Sequence, residues 1–348
     1  MSAVKTIKRL LLAAALASCL AARGADPSMP GVSPVVSGAR YATDAYPGFD
    51  DTEEMTKPER KEPKWFSFIN GPNRANAAEQ FAYCQELMDA GNHSKARKQL
   101  DALVREWPTS PEAPKAQQKL AEVCFYKLDD AIEAFSEYRY LLDFYSSQCD
   151  YGRMADMLYQ VAGVMKIEGK EVMFIRFANT VDVRRAYETC VLRAPGAKWV
   201  PEAMMTIGAL REEEGKYESA AKVYENLRNT HPDAKEAKAA VAREAEVRMI
   251  LLREHGYNRS RCRDTINFLQ LALRLCRPED VETIRSYVGE ARLQLESEAY
   301  LGAKFYDSTT RTRRSAISAY EKFLAEYPDS VHADAVRARL EELKGAEK

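Results

Sequence analysis

Seven cysteines and four histidines are the side chains of this 348-residue chain most suited to nucleophilic, redox or metal chemistry. Their spacing argues against all three. His93, His231, His255 and His332 are scattered among expected helix ends and turns. A zinc centre needs ligands clustered at short, defined intervals, and the chain has no CxxC pair and no His/Cys cluster. It also lacks HExxH, GxSxG, a phosphate-cradling loop and GxGxxG. His231 stands before Pro232 in a position that Trp107 and Tyr327 fill elsewhere, which is a packing role. The acidic runs Glu212-Glu213-Glu214 and Glu341-Glu342 lie near basic neighbours and read as solvated helix faces. Paired carboxylates can converge from distant positions, but nothing in the spacing singles out such a pair. The expectation is a protein that is not an enzyme, with no cofactor, no metal and no small-molecule substrate. Tyrosine is plentiful; Tyr83, Tyr138, Tyr151, Tyr159 and Tyr257 are candidates for contacts on an exposed surface.

The cysteines divide into one and six. Lys5, Lys8 and Arg9 precede a short apolar run, Leu10 to Leu20. That run is shorter than the roughly 20 residues needed to span a bilayer, so it reads as a cleaved export signal. Its end, Leu16-Ala17-Ser18-Cys19, resembles a bacterial lipobox. The resemblance implies that Cys19 becomes the first mature residue and carries lipid. Leu20, where Asp is absent, then implies sorting to the outer membrane in bacteria with two membranes. Ordinary cleavage after Gly24, with Ala22 at the −3 position, is the alternative, and it would remove Cys19. The other six are Cys84, Cys124, Cys149, Cys190, Cys262 and Cys276. An even number in an exported chain permits disulfides. The intervals Cys84–Cys124 and Cys149–Cys190 suit bridges between equivalent helices of neighbouring repeats. The other reading is six small buried apolar residues.

The elements that must position these residues are repetitive. Charged residues are 30% of the chain and the net charge is −1, which gives no basic surface for nucleic acid. Residues 1–19 read as the signal. Residues 20–74 hold seven of the prolines and form a mostly disordered tether. Trp65, Phe66, Phe68 and Ile69 interrupt its polarity and are candidates for docking on the body or on a partner. Residues 75–344 read as a repeat domain. Four prolines, Pro108, Pro195, Pro232 and Pro328, set its register. Twelve residues before them lie Ala96, Val183, Ala220 and Ala316; eight before, Leu100, Tyr187, Tyr224 and Tyr320; five before, Leu103, Cys190, Leu227 and Phe323. Eight after lie Ala116, Ala203, Ala240 and Val336. Small residues let helices approach, and large ones three apart fill one helix face. Proline then stops the helix. Gly91 and Gly215 suit a left-handed turn between paired helices. Ser110 with Pro111, Pro201, and Asp329 or Ser330 are expected to open the next helices.

This register resembles a tetratricopeptide array. It implies an all-α solenoid of about six helix pairs plus a closing helix near Val331 to Leu343, with an insertion, Gly169 to Thr180, in the third unit. Such units bury their apolar faces only on each other and usually bind other proteins. The lipobox before a polar tether, Ala90-Gly91-Asn92 to Trp107-Pro108, Arg185-Ala186-Tyr187 to Ala194-Pro195, and Ala316-Ile317-Ser318-Ala319-Tyr320 to Tyr327-Pro328-Asp329-Ser330 together resemble the BamD-type lipoprotein of the outer-membrane β-barrel assembly machinery. The resemblance covers roughly residues 75–344. It implies a periplasm-facing scaffold held to the outer membrane by its lipid. Its partners would be other envelope proteins, including a barrel-forming subunit and unfolded barrel substrates. That family has five repeats and a shorter tether, and the motifs are shared by other periplasmic repeat lipoproteins. A periplasmic adaptor for cell-wall synthesis, division or secretin assembly is therefore the second reading.

Overall fold

The computed structural model describes residues 49, 60–62, 71–168, 179–254, 259–309 and 313–345. The export segment with Cys19, the aromatic stretch Trp65 to Ile69, residues 169–178 of the insertion, His255 and Tyr257 lie outside the described residues.

Among the described residues the chain forms thirteen α-helices and no strand. They are α1 (Ala77–Asp89), α2 (His93–Glu106), α3 (Ala113–Tyr126), α4 (Ala131–Phe144), α5 (Tyr151–Glu168), α6 (Thr180–Arg193) and α7 (Val200–Glu213). There follow α8 (Tyr217–Thr230), α9 (Lys235–Glu254), α10 (Arg259–Leu275), α11 (Val281–Thr309), α12 (Arg313–Glu326) and α13 (Ala333–Gly345). This is six helix pairs and a closing helix in an all-α solenoid arrangement.

Four of the helices end for one shared reason. In α2 the last turn closes when Trp107 N–H donates to the Leu103 carbonyl, and Pro108 prevents another turn. Ala194, His231 and Tyr327 make the same bond ahead of Pro195, Pro232 and Pro328. All sixteen side chains of the proline register are buried, from Ala96 and Leu100 to Phe323 and Val336. The turns within pairs also share a device. Gly91 and Gly215 take φ of +74° and +72°, each two residues before the second helix. Asp129 takes φ +57° at the same place in the second pair, where Asp is among the few side chains that tolerate it. Helix starts fall later than expected in two places. α3 begins at Ala113, after a turn through Ser110, with Pro114 rather than Pro111 in its first turn. α13 begins at Ala333, with the Ser330 hydroxyl accepting from His332 N–H. Pro201 lies in the first turn of α7 as expected.

The chain divides into two compact units, ending at Glu214 and beginning at Gly215. In the first, α1 to α7, each helix packs on its neighbours in sequence. Polar bonds hold helices within and between pairs: Gln80 of α1 donates to the Gln99 side chain of α2 at 2.8 Å, and Tyr145 after α4 donates through its hydroxyl to the Pro108 carbonyl after α2. In the second, α8 to α13, the 29-residue α11 serves two cores. Ile284, Val288 and Ala291 join Leu269, Met249 and their neighbours from α9 and α10. Ala303 joins Tyr320, Phe323 and Val336 from α12 and α13.

Candidate interaction surface

The first feature is a clamp on part of the stretch read as tether. Lys61 is nearly buried, with 12% of its side chain exposed. Its ammonium lies 2.9 Å from Asp101 of α2 and 2.5 Å from Glu137 of α4, and 5.2 Å from the Tyr140 ring centroid. Arg60 sits over the Phe144 ring, and Arg105 donates to the Glu62 carbonyl. Gln117 of α3 donates to the same Glu137 carboxylate. The second helices of the first two pairs thus hold residues 60–62 by two carboxylates and two aromatic rings. Burial pulls the Lys61 pKa down, but attraction to Glu137 and Asp101 outweighs it and leaves it above the ordinary lysine value. Burial pushes the Asp101 carboxyl up, and Lys61 and Arg105 more than reverse this.

The clamp therefore has a pH window. The raised Lys61 contributes fully below about pH 10.4 and is lost as pH climbs through its folded value. The depressed Asp101 contributes above about pH 3.9 and is lost as pH falls through its folded value. Replacing Lys61 with Met is expected to cut amide protection at residues 60–62 about tenfold or more, while the unfolding midpoint of the helices moves little, since Glu137 then reaches water. Hydrogen exchange by mass spectrometry reads both.

The second feature is aromatic. Tyr159 of α5 stacks on Trp199, which precedes α7, with ring centroids 4.5 Å apart and planes 4° apart. Trp199 Nε1 donates to Asp156 at 2.8 Å, and Tyr187 meets Tyr159 edge-on. Both stacked rings are half-buried, so they present a fixed apolar platform with a carboxylate at its edge. At the start of the unit, half-buried Tyr83 of α1 lies under Arg74 and Lys95, and Asn73 bonds its hydroxyl. Those groups hold the phenol below the usual tyrosine value, the Lys95 hydrogen bond contributing most. Half-buried tyrosine and tryptophan with fixed polar neighbours suit protein contact. Of the other tyrosines named from sequence, Tyr138 is core, and Tyr151 is tied to the Arg193 carbonyl.

The third feature corrects an expectation. Glu214 does not lie on a solvated face: its side chain accepts from Arg184 at 2.6 Å and is 7% exposed. Arg184 also bonds Glu188 one turn away at 2.8 Å, and Arg211 of α7 reaches Glu188 at 3.0 Å. Arg184, Glu188 and Arg211 are almost wholly buried. Burial lowers the Arg184 pKa, and the two carboxylates raise it beyond the usual value. A second buried pair, bidentate Arg193–Asp143 at 2.9 Å, joins α6 to α4. The Arg184-to-Glu188 spacing of four was visible in sequence, but it marks a pair on one helix, not its burial. Glu342 is exposed and pairs with Arg339, as a solvated face would.

The six described cysteines are free thiols, so the Cys84–Cys124 and Cys149–Cys190 bridges do not form. Cys84, Cys124, Cys190 and Cys262 are buried and behave as small apolar core residues. Burial pushes Cys84 and Cys124 to about 12 and Cys149 to about 11, which leaves little thiolate for reaction. Among the described residues, no group of three or more His, Cys, Asp or Glu is arranged to hold a metal ion. His231 caps the end of α8, and His332 stacks on Tyr300 at 4.0 Å. No described helix is long and apolar enough to cross a membrane.

Comparison with known proteins matches residues 202–234 to the tetratricopeptide repeat. No curated protein matches in sequence. Among solved structures, a tetratricopeptide repeat protein from Parabacteroides merdae is 13% identical over 77% of this chain and 98% of its own, with a TM-score of 0.28. The C-terminal part of a repeat-containing protein from Cytophaga hutchinsonii is 13% identical over 74% of this chain and 98% of its own, with a TM-score of 0.31. Residues 202–234 thus carry a tetratricopeptide repeat, within an all-α chain built of helix pairs.

Proposed function

We propose that the chain is a scaffold of the bacterial outer membrane, facing the periplasm and anchored by lipid on Cys19, that binds partner proteins during assembly of β-barrel outer-membrane proteins. The observation that carries the binding role is the Tyr159–Trp199 platform, a rigid half-buried aromatic pair on a stack of helix pairs. Rigid aromatic rings contribute contact area at low entropic cost, and the helices beneath hold them in place. The tetratricopeptide repeat at residues 202–234 supports the same role. The envelope setting is supported by the resemblance of Leu16-Ala17-Ser18-Cys19 to a lipobox, and the barrel-assembly task by the resemblance to the BamD-type lipoprotein.

Two measurements test the reading. Replacing Cys19 with Ser is expected to release the protein from membranes and abolish lipid labelling; a wild-type protein that is already soluble would show that the lipobox reading is wrong. Detergent extraction with gentle crosslinking is expected to recover a large outer-membrane barrel protein with the chain. Recovery of a cell-wall enzyme or a secretion ring instead would favour the second adaptor reading.

A further inference from the structure

α10 and α12 are both shorter than α11 and pack on different halves of it, so they meet end to end. Arg259 and Arg263 at the start of α10 both pair with Glu326 at the end of α12. A cleft of about 360 Å³ opens at this junction. It is lined by Arg263, Ile266 and Asn267 of α10, by Arg292, Leu295 and Glu296 of α11, and by Tyr327.

Its floor and rim differ in chemistry. Ile266 is 8% exposed, and Leu295 packs against the core around α10. The Tyr327 ring lies tilted against Phe323, with centroids 5.5 Å apart, and forms one wall. On the rim, Arg263 pairs with Glu326, which it shares with Arg259, and Glu296 accepts from the Ser330 hydroxyl. Arg292 and Asn267 are exposed and make no hydrogen bond or ion pair with another described side chain. The cleft therefore offers an apolar floor, one uncommitted guanidinium and one uncommitted amide.

We propose that this cleft binds a partner segment presenting an apolar side chain beside a carboxylate, the side chain over Ile266, Leu295 and Tyr327 and the carboxylate on Arg292 and Asn267. Arginine donates through a planar fork that matches a carboxylate, and a charged acceptor strengthens each bond. Glu296 repels a second carboxylate and so limits the segment to one at this point. The inference rests on the reading of the chain as a partner-binding array.

The full chain, isotopically labelled, is titrated with 3-phenylpropionate and with its neutral counterpart 3-phenyl-1-propanol. The acid is expected to bind with a Kd of about 1 mM to a few mM, as its size allows, and to shift backbone resonances of α10, α11 and Tyr327. The alcohol is expected to bind about tenfold more weakly, because a charge-assisted bond is missing. Arg292→Gln, at an exposed position with no side-chain partner among the described residues, is expected to bring the acid down to the level of the alcohol. Equal binding of the two probes, an unchanged Kd in Arg292→Gln, shifts confined to other helices, or no saturable binding would each overturn the proposal. Failure of the probe while protein partners still co-purify overturns the cleft alone. Loss of all partners with the probe still bound overturns the array reading and leaves the cleft standing.

Discussion

Replacing Glu188 with Ala is expected to destabilise the first unit by about 3–5 kcal/mol, the range for removing one member of a buried ion group. Glu188 is fully buried and accepts from Arg184 and Arg211. Without it, Arg184 retains Glu214, whereas Arg211 loses the carboxylate it meets at 3.0 Å. Removing one anion from a dry cluster of charges leaves desolvation less well offset by attraction, which costs more than the pair itself contributes. Glu188→Gln separates charge from packing, since it keeps the shape and some hydrogen bonding while removing the charge. A loss close to that of alanine would show that charge dominates. Arg211→Met combined with Glu188→Met is expected to recover part of the loss, as apolar replacement of a buried pair often does. Denaturant unfolding, with hydrogen exchange read at α6 and α7, measures each value. A change below about 1 kcal/mol for Glu188→Ala would show that water reaches the cluster.

Truncating Tyr224 to Ala is expected to cost about 3–5 kcal/mol in the second unit, the range for an aromatic side chain lost from a core. Tyr224 is wholly buried on α8, eight residues before Pro232. It stands three before Leu227 on the same helix face, and α8 packs against α9. Tyr224→Phe removes only the hydroxyl and is expected to cost no more than about 1.5 kcal/mol. The equivalent Tyr320→Ala falls in the small core around α12 and α13, where a ring is an even larger share of the packing. Thermal or denaturant unfolding of the three variants tests the register directly. A Tyr224→Ala loss no larger than that of Tyr224→Phe would mean that the ring is not holding α8 to its neighbours.

The helix pairs were legible in the sequence because the proline register repeats the same physical task. A small residue allows approach, large residues three apart fill the gap, and proline ends the helix. Ala96, Leu100, Leu103 and Pro108 state this once, and Ala220, Tyr224, Leu227 and Pro232 state it again. Helix starts were less legible, since Ser110 enters a turn through backbone bonds before α3 begins. The candidate surface was legible only in part. Tyr159 was named, but its partner Trp199 lies forty residues on and meets it only through packing of α5, α6 and α7. The Lys61 clamp was hidden because proline, charge and low hydrophobicity around it describe a solvated chain. Two carboxylates on separate helices reverse that locally. Glu214 misled for the opposite reason: three consecutive acids look solvated, yet one turns inward toward Arg184. The junction cleft follows from the unequal lengths of α10, α11 and α12, and the Pro328 register does not encode length.

In the proposed function the chain holds protein partners on its half-buried aromatic platform. The most direct test is quantitative affinity purification with mass spectrometry from detergent-solubilised envelopes, comparing wild type with a Tyr159→Ala, Trp199→Ala variant whose helical circular dichroism is unchanged. The account predicts at least one partner recovered in near-stoichiometric amount with wild type and depleted about tenfold or more with the variant, as loss of a binding hot spot requires. Absence of any enriched partner with wild type, or equal recovery with the variant, would contradict it.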